Sequence, residues 1–191
     1  MMSRTDEELM IAVREGDLDQ LEILFERYRE PLGEFFSRLT GNREVSEDLV
    51  QDVFVRILKY RATYRATNRF VTWIYQIARN SRIDYFKKHR VEPLDLHRGA
   101  TVAVTPGRQL EESEEKALLQ SALMQLTESN RELLILLRYQ EMKYEDIAEL
   151  LGIEPGAVGT RVHRAMKELR DIFMNLRSNK SPCSAAKFKT T

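Results

Sequence analysis

Apolar residues along this chain recur at steps of three and four almost throughout, the spacing that lines one face of an α-helix. Thr5-Asp6-Glu7-Glu8 reads as a capping box at a helix start; Leu9, Ala12 and Val13 follow it, and Gly16-Asp17 breaks the run. Leu18, Leu21, Leu24, Phe25 and Tyr28 form the next stripe. Pro31 should end or kink it before Leu32, Phe35, Phe36 and Leu39 carry the pattern to Thr40-Gly41-Asn42. Ser46, with Glu47 and Asp48 behind it, is expected to cap a third helix whose inner side is Leu49, Val50, Val53, Phe54, Ile57 and Leu58. Residues 61–69, RATYRATNR, lack an apolar period and read as a loop. A long helix from 70 to about 89 should then bury Phe70, Trp73, Ile74 and Ile77.

From 91 to 109 the period disappears, and Pro93, Gly99, Pro106 and Gly107 gather in what reads as a linker. Helical spacing returns with Leu110, Ala117, Leu118, Ala122, Leu123 and Leu126, and Thr127 is placed to cap a helix containing the apolar run 133–137. Ile147, Ala148, Leu150 and Leu151 share a stripe that Gly152 should close in a left-handed conformation. Pro155 suits the first turn of a last helix, whose core face is Val158, Val162, Ala165, Leu169 and Ile172. Nothing alternates as a strand does. The prediction is an all-α protein of two small helical domains, 1–90 and 110–177, joined by a flexible linker at 91–109 and followed by a disordered tail at 178–191.

Composition narrows the setting. Cys183 is the single cysteine, which excludes an intrachain disulfide framework and suits a reducing compartment. No basic-apolar leader opens the chain and no apolar run reaches the ~18 residues of a membrane span, so a cytoplasmic protein without membrane insertion is expected.

Charge changes the picture more. The formal net charge is zero, yet residues 1–52 hold 6 Lys/Arg against 14 Asp/Glu, and residues 53–90 hold 10 against 1. Residues 91–142 are acidic again (5 against 9) and 143–191 basic (9 against 6). Two basic blocks set between acidic ones point to two anion-facing surfaces on supports that face something else.

Each basic block has its own chemistry. In the first, Tyr75, Arg79, Arg82 and Phe86 recur at helical steps on the side away from the apolar stripe, and Lys87-Lys88-His89-Arg90 follows. Rings that stack on unpaired bases, with cations that track phosphates, suit single-stranded nucleic acid; a buried aromatic stripe is the plainer alternative. In the second block, about 100° per residue places Gly156, Thr160, His163, Arg164 and Lys167 opposite the core stripe. Two short helices joined by a tight glycine turn, the second basic outward, form a helix-turn-helix for duplex DNA, or else an ordinary corner with a solvated face. Catalysis is not expected. His89, His97 and His163 are scattered without metal-ligand spacing, so no metal and no cofactor are anticipated.

The runs SEDLVQDVFVRILK, RFVTWIYQIARNSRIDYFKKHR and LTESNRELLILLRYQEMKYEDIAELLGIEPGAVGTRVHRAMKELR, in that order, resemble the extracytoplasmic-function (ECF) sigma factors of bacterial RNA polymerase over roughly residues 5–176. The resemblance implies a region-two domain on the clamp helices of the polymerase largest subunit, capturing the melted minus-ten element. It implies a region-four domain on the flap of the second-largest subunit, reading the minus-thirty-five element as duplex. Asp48, Gln51, Asp52 and Arg56 match the polymerase-binding helix, where composition alone left a solvated face. Arg65, Asn68, Arg69, Trp73, Tyr75, Arg79, Asn80, Arg82 and Lys87 match the minus-ten reader, which draws a base into a pocket. Gly159, Thr160, Arg161, His163, Arg164 and Lys167 match the minus-thirty-five reader. Promoter DNA and core polymerase are thus the implied partners, and an anti-sigma factor is a further partner of many relatives.

The chain departs from the family pattern at three places. Gly159 stands where a long polar side chain is common, Lys143 where a Ser or Thr cap is usual, and Ala66-Thr67-Asn68 lacks a common glycine-acid pair. A helix-turn-helix regulator that is not a polymerase subunit is the alternative function. It leaves the aromatic-basic helix and the acidic first 52 residues without a role.

Overall fold

The computed structural model describes residues 4–67, 69–89 and 108–180. Among these, eight α-helices follow one another: α1 (Asp6–Glu15), α2 (Gln20–Thr40), α3 (Arg43–Tyr60), α4 (Phe70–His89), α5 (Arg108–Gln125), α6 (Glu128–Arg138), α7 (Tyr144–Leu151) and α8 (Pro155–Lys180). The capping box of α1 is formed: Thr5 Oγ1 accepts the Glu8 N–H at 3.2 Å, and Glu8 Oε2 accepts the Thr5 N–H at 2.9 Å. Gly152 closes α7 at φ 65°, a conformation that a side chain would strain.

Several expectations are corrected. Pro31 lies inside α2, a helix of 21 residues that runs on past it to Thr40. Burial of Leu24 on one side of the proline and of Leu32, Phe35 and Phe36 on the other holds both parts in the core, so the helix does not end there. Ser46 does not cap α3. Asn42 does, its Oδ1 accepting the Val45 N–H at 3.2 Å, so the helix begins a turn earlier and Ser46 is buried, donating to the Asn42 carbonyl at 2.6 Å. The segment read as a loop opens with a 3-10 turn, Arg61–Thr63, and Tyr64 after it is buried. At the other end α8 extends to Lys180, so residues 178–180 are helical; 181–191 and most of the expected linker lie outside the described residues.

The two helical groups share a core. Leu9, Val13, Leu24, Phe35, Val53, Ile57, Phe70 and Ile74 from α1–α4 belong to one buried cluster with Leu133, Ile135, Leu136, Ile147 and Val158 from α6–α8. A second cluster joins Leu123, Leu126, Leu134 and Ala165. The reason is the run 133–137: a helix apolar on most of its circumference is buried on several sides at once. Leu134 belongs to the cluster with α5 and α8, while Leu133, Ile135 and Leu136 belong to the one that includes the first group. Arg131 ties the seam: its guanidinium donates to the carbonyls of Leu123, Met124 and Leu126 at the end of α5, and to Leu39 near the end of α2. A cation there meets the negative ends of two helix dipoles.

Candidate nucleic-acid interface

Two faces carry the candidate residues of the first group. On α3, Asp48 and Gln51 are exposed, while Asp52 and Arg56 are half-buried and paired. Arg56 donates to Asp52 at 2.6 Å and to Asp84 of α4 at 2.7 Å, and Ser81 donates to Asp52. This lattice fixes α3 against α4. Asp84, unnoticed in the sequence, is the lone acid of the basic block 53–90, and that isolation is the signal that could have found it.

On α4 the ladder at 75, 79, 82 and 86 points partly inward rather than to solvent. Tyr75 is buried, packs edge-on against Phe35 at 5.1 Å, and donates its hydroxyl to Gln140. Its ring is therefore not an open stacking platform in this arrangement. Arg79 donates from Nε to Glu132 at 2.9 Å and from Nη1 to the Leu150 carbonyl at 2.6 Å. Arg82, 7% exposed, is ion-paired to Glu128, and Arg69 to Asp146. Trp73 is half-buried against the rings of Tyr64 and Phe70. Arg65, Asn80 and Lys87 are exposed, and Asn68 lies outside the described residues. The partners Glu128, Glu132, Gln140 and Asp146 were missed in the sequence, where the acidity of residues 91–142 hinted only at the two glutamates.

Burial acts on the tyrosines. It pushes Tyr64 up to about 12 and raises Tyr75 and Tyr28 further, the Asp6 carboxylate that accepts the Tyr28 hydroxyl adding to the last. It lowers Arg131, whose guanidinium is satisfied by carbonyls rather than by a carboxylate.

The outer face of α8, the second helix of the helix-turn-helix, stands apart from this seam, whereas α7 takes part in it through Asp146 and the Leu150 carbonyl. Thr160, His163, Arg164 and Lys167 are exposed on α8, opposite buried Val158 and Ala165. Arg161 is half-buried and donates to Ser129 Oγ, so it braces α8 on α6. A Cβ on Gly159 would meet only the Tyr144 ring at 3.5 Å, an ordinary contact. Space does not demand the glycine. Lys143 precedes α7 with no side-chain cap bond. Among the described residues no group of three or more His, Cys, Asp or Glu could hold a metal, and no helix is long and apolar enough to cross a membrane.

Residues 24–92 match the family model of Sigma-70 region 2, and residues 116–169 that of Sigma-70 region 4. The RNA polymerase sigma factor YlaC of Bacillus subtilis is 31% identical over 157 residues, covering 80% of this chain and 91% of that protein. CarQ of Myxococcus xanthus is 31% identical over 85% of this chain and 94% of its own. The ECF RNA polymerase sigma factor EcfG of Rhodopseudomonas palustris is 34% identical over 71% and 75%. Among solved structures, CnrH, in complex with the cytosolic domain of CnrY, shares the fold at a TM-score of 0.71 and 22% identity, over 89% of this chain and 97% of that one. RpoE of Bartonella quintana, solved with the anti-sigma factor NepR, does so at 0.63 and 24%, over 81% and 96%. Two region models in chain order, and relatives above 30% identity over most of both partners, place this chain among the extracytoplasmic-function sigma factors of bacterial RNA polymerase.

Proposed function

We propose that this sigma factor divides its labour along the helices described above, in a region-two domain at 1–90 and a region-four domain at 110–177. The outer face of α3, with Asp48, Gln51, Asp52 and Arg56, meets the clamp helices of the polymerase largest subunit. Residues 65–69 and the face of α4 with Trp73, Tyr75, Arg79, Asn80, Arg82 and Lys87 hold the melted minus-ten strand. The outer face of α8, from Gly159 to Lys167, enters the major groove at the minus-thirty-five element, and the second group rests on the flap of the second-largest subunit. The chain contributes binding energy and no bond-making group, and it acts in the cytoplasm, where polymerase is. An anti-sigma factor is a further partner in this reading, supported by the complexes in which the solved relatives were captured.

One observation carries most of it: Thr160, His163, Arg164 and Lys167 are solvent-facing on a helix whose opposite side is anchored by Val158 and Ala165. Such a helix can offer hydroxyl, imidazole and guanidinium groups to base edges without disturbing its core. The test is reconstitution with core polymerase and genome-wide mapping of transcript starts. A shared pair of promoter elements upstream of the starts, absent without the chain, is the expected result. Sequence-specific DNA binding that is tight without polymerase, with no new starts, would favour the stand-alone regulator instead.

A further inference from the structure

Helix α1 carries none of the surfaces assigned above, yet it holds both ends of one of them. Arg14 Nη1 donates to the Tyr64 carbonyl at 3.3 Å, and Glu7 Oε1 accepts the Phe70 N–H at 3.0 Å. These two backbone groups flank residues 65–69. Glu7 and Arg14 are seven positions apart, about two turns of α1, so they share a face and lie about 10 Å apart along its axis. Each meets the group its charge suits: the guanidinium donates to a carbonyl, and the carboxylate accepts an N–H that the start of α4 leaves without a helical partner. Between these anchors Arg65, Ala66, Thr67 and Arg69 are exposed, whereas Tyr64 and Phe70 are buried and pack edge-on, with ring centroids 6.1 Å apart. Helix α1 is itself well fixed. Leu9, Met10 and Val13 are fully buried, and Asp6 accepts the Tyr28 hydroxyl at 2.6 Å, which ties α1 to α2.

We propose that α1 is a brace for the segment 65–69: Arg14 and Glu7 are positioning residues that fix its two ends, so that it is ordered before a base of the melted minus-ten strand is drawn into it. This role rests on the reading of residues 65–69 as part of the minus-ten surface. Its physical basis is preorganisation. Extruding a base costs stacking energy, and a loop that must be ordered at the same moment adds its own conformational cost. A segment held at one end only orders as it binds, so it opens promoters more slowly and discriminates less among bases. Both contacts are made to main-chain groups, at Tyr64 and Phe70, so removing either side chain of α1 leaves every side chain of the segment in place.

The experiment uses the full chain with core polymerase on a promoter library saturated across the minus-ten element, with opening rates read by permanganate footprinting. Arg14→Ala and Glu7→Ala should each slow opening about fivefold, the effect of one hydrogen bond. Both should flatten base preference at the positions that 65–69 reads, while closed-complex formation and minus-thirty-five preference stay as in the wild type. Arg14→Lys and Glu7→Gln, which keep a donor and an acceptor, should recover most of the rate. Asn42→Ala removes the cap of α3 at the end of that helix away from the segment, a comparable loss of stability that does not reach 65–69. It should leave opening and preference unchanged. If Asn42→Ala reproduces the effects of Arg14→Ala and Glu7→Ala, or if Arg14→Lys loses as much as Arg14→Ala, the bracing role is overturned. Arg65→Ala/Thr67→Ala separates the brace from the reading beneath it. Altered minus-ten preference in that variant, with wild-type behaviour of Arg14→Ala and Glu7→Ala, overturns the brace alone. Unaltered preference and opening in that variant remove 65–69 from the minus-ten surface, and the brace with it.

Discussion

Glu7 Oε1 accepts the backbone N–H of Phe70 at 3.0 Å across 63 positions of sequence, so a residue in the first turn of α1 caps the start of α4. Arg69, just before that helix, has no acceptor to offer its first N–H groups; Glu7 supplies one and so anchors the end of the 65–69 segment. Glu7→Ala should cost about 1 kcal/mol, the usual loss for a helix cap. For a chain of this size that lowers the melting temperature by about 2–4 °C. Glu7→Gln, which keeps an acceptor, should lose less. Thermal melts followed by circular dichroism measure both, and identical melts for Glu7→Ala and wild type would remove this contact from the account.

The polymerase face is best probed at Asp48. Asp52, the more obvious choice, is bonded to Arg56 and Ser81, so its replacement also loosens α3 from α4. Asp48 is exposed on the same face. Asp48→Arg should weaken core-polymerase binding about tenfold or more while leaving stability within about 0.5 kcal/mol of wild type. Native-gel titration with core enzyme reads the first effect and urea denaturation the second.

Promoter opening can be tested without touching the seam. Asn80 is exposed on α4 and its nearest bonded neighbour is Gln76, at 3.5 Å. Asn80→Ala should slow opening, by an amount worth about 1 kcal/mol for one lost hydrogen bond, and spare closed-complex formation. Permanganate footprinting resolves the two steps; wild-type opening rates would exclude Asn80 from the minus-ten surface.

On α8, Arg164 and Lys167 should fail differently. Phosphate contacts are blind to sequence, whereas one good base contact carries about 1–3 kcal/mol of discrimination. Lys167 lies nearly a turn further from the N-terminal end that enters the groove. Lys167→Ala should weaken all promoters alike and lower the salt slope by roughly one, and Arg164→Ala should flatten preference at particular positions. A saturated library of the minus-thirty-five element, transcribed by each variant, would reveal a reversal of these roles.

Alkali should unfold this protein early. Tyr64, at about 12, and the more strongly raised Tyr28 and Tyr75 ionise later in the folded chain than in the unfolded one. Their contribution to stability is therefore complete below about pH 10, the unfolded value, and is lost as pH climbs from there through the folded values. Each such tyrosine adds a slope of up to about 1.4 kcal/mol per pH unit in that window. Urea midpoints from pH 9 to 12 should fall, and Tyr64→Phe should make the fall shallower; an unchanged slope in that variant would show that Tyr64 titrates normally.

Local order was written in the sequence because its causes are local. Thr5 and Glu8 close their box within one turn, Thr127 accepts from Asn130, Gly152 supplies the turn before Pro155, and a strict four-and-three spacing buries Val158 and Ala165 while leaving Arg164 and Lys167 in solvent. These need only neighbours along the chain. The direction of Tyr75, Arg79 and Arg82 was decided elsewhere. Helical periodicity says which residues share a face, but not whether a second element covers it. That cover arrives from Glu128, Glu132, Gln140 and Asp146, beyond the segment between His89 and Arg108. Even the seam had a trace in the sequence, in the alternation of acidic and basic blocks. Charge alternation reports that two surfaces are complementary; only the tertiary packing of the apolar run 133–137 determined that they belong to the same molecule and meet in it.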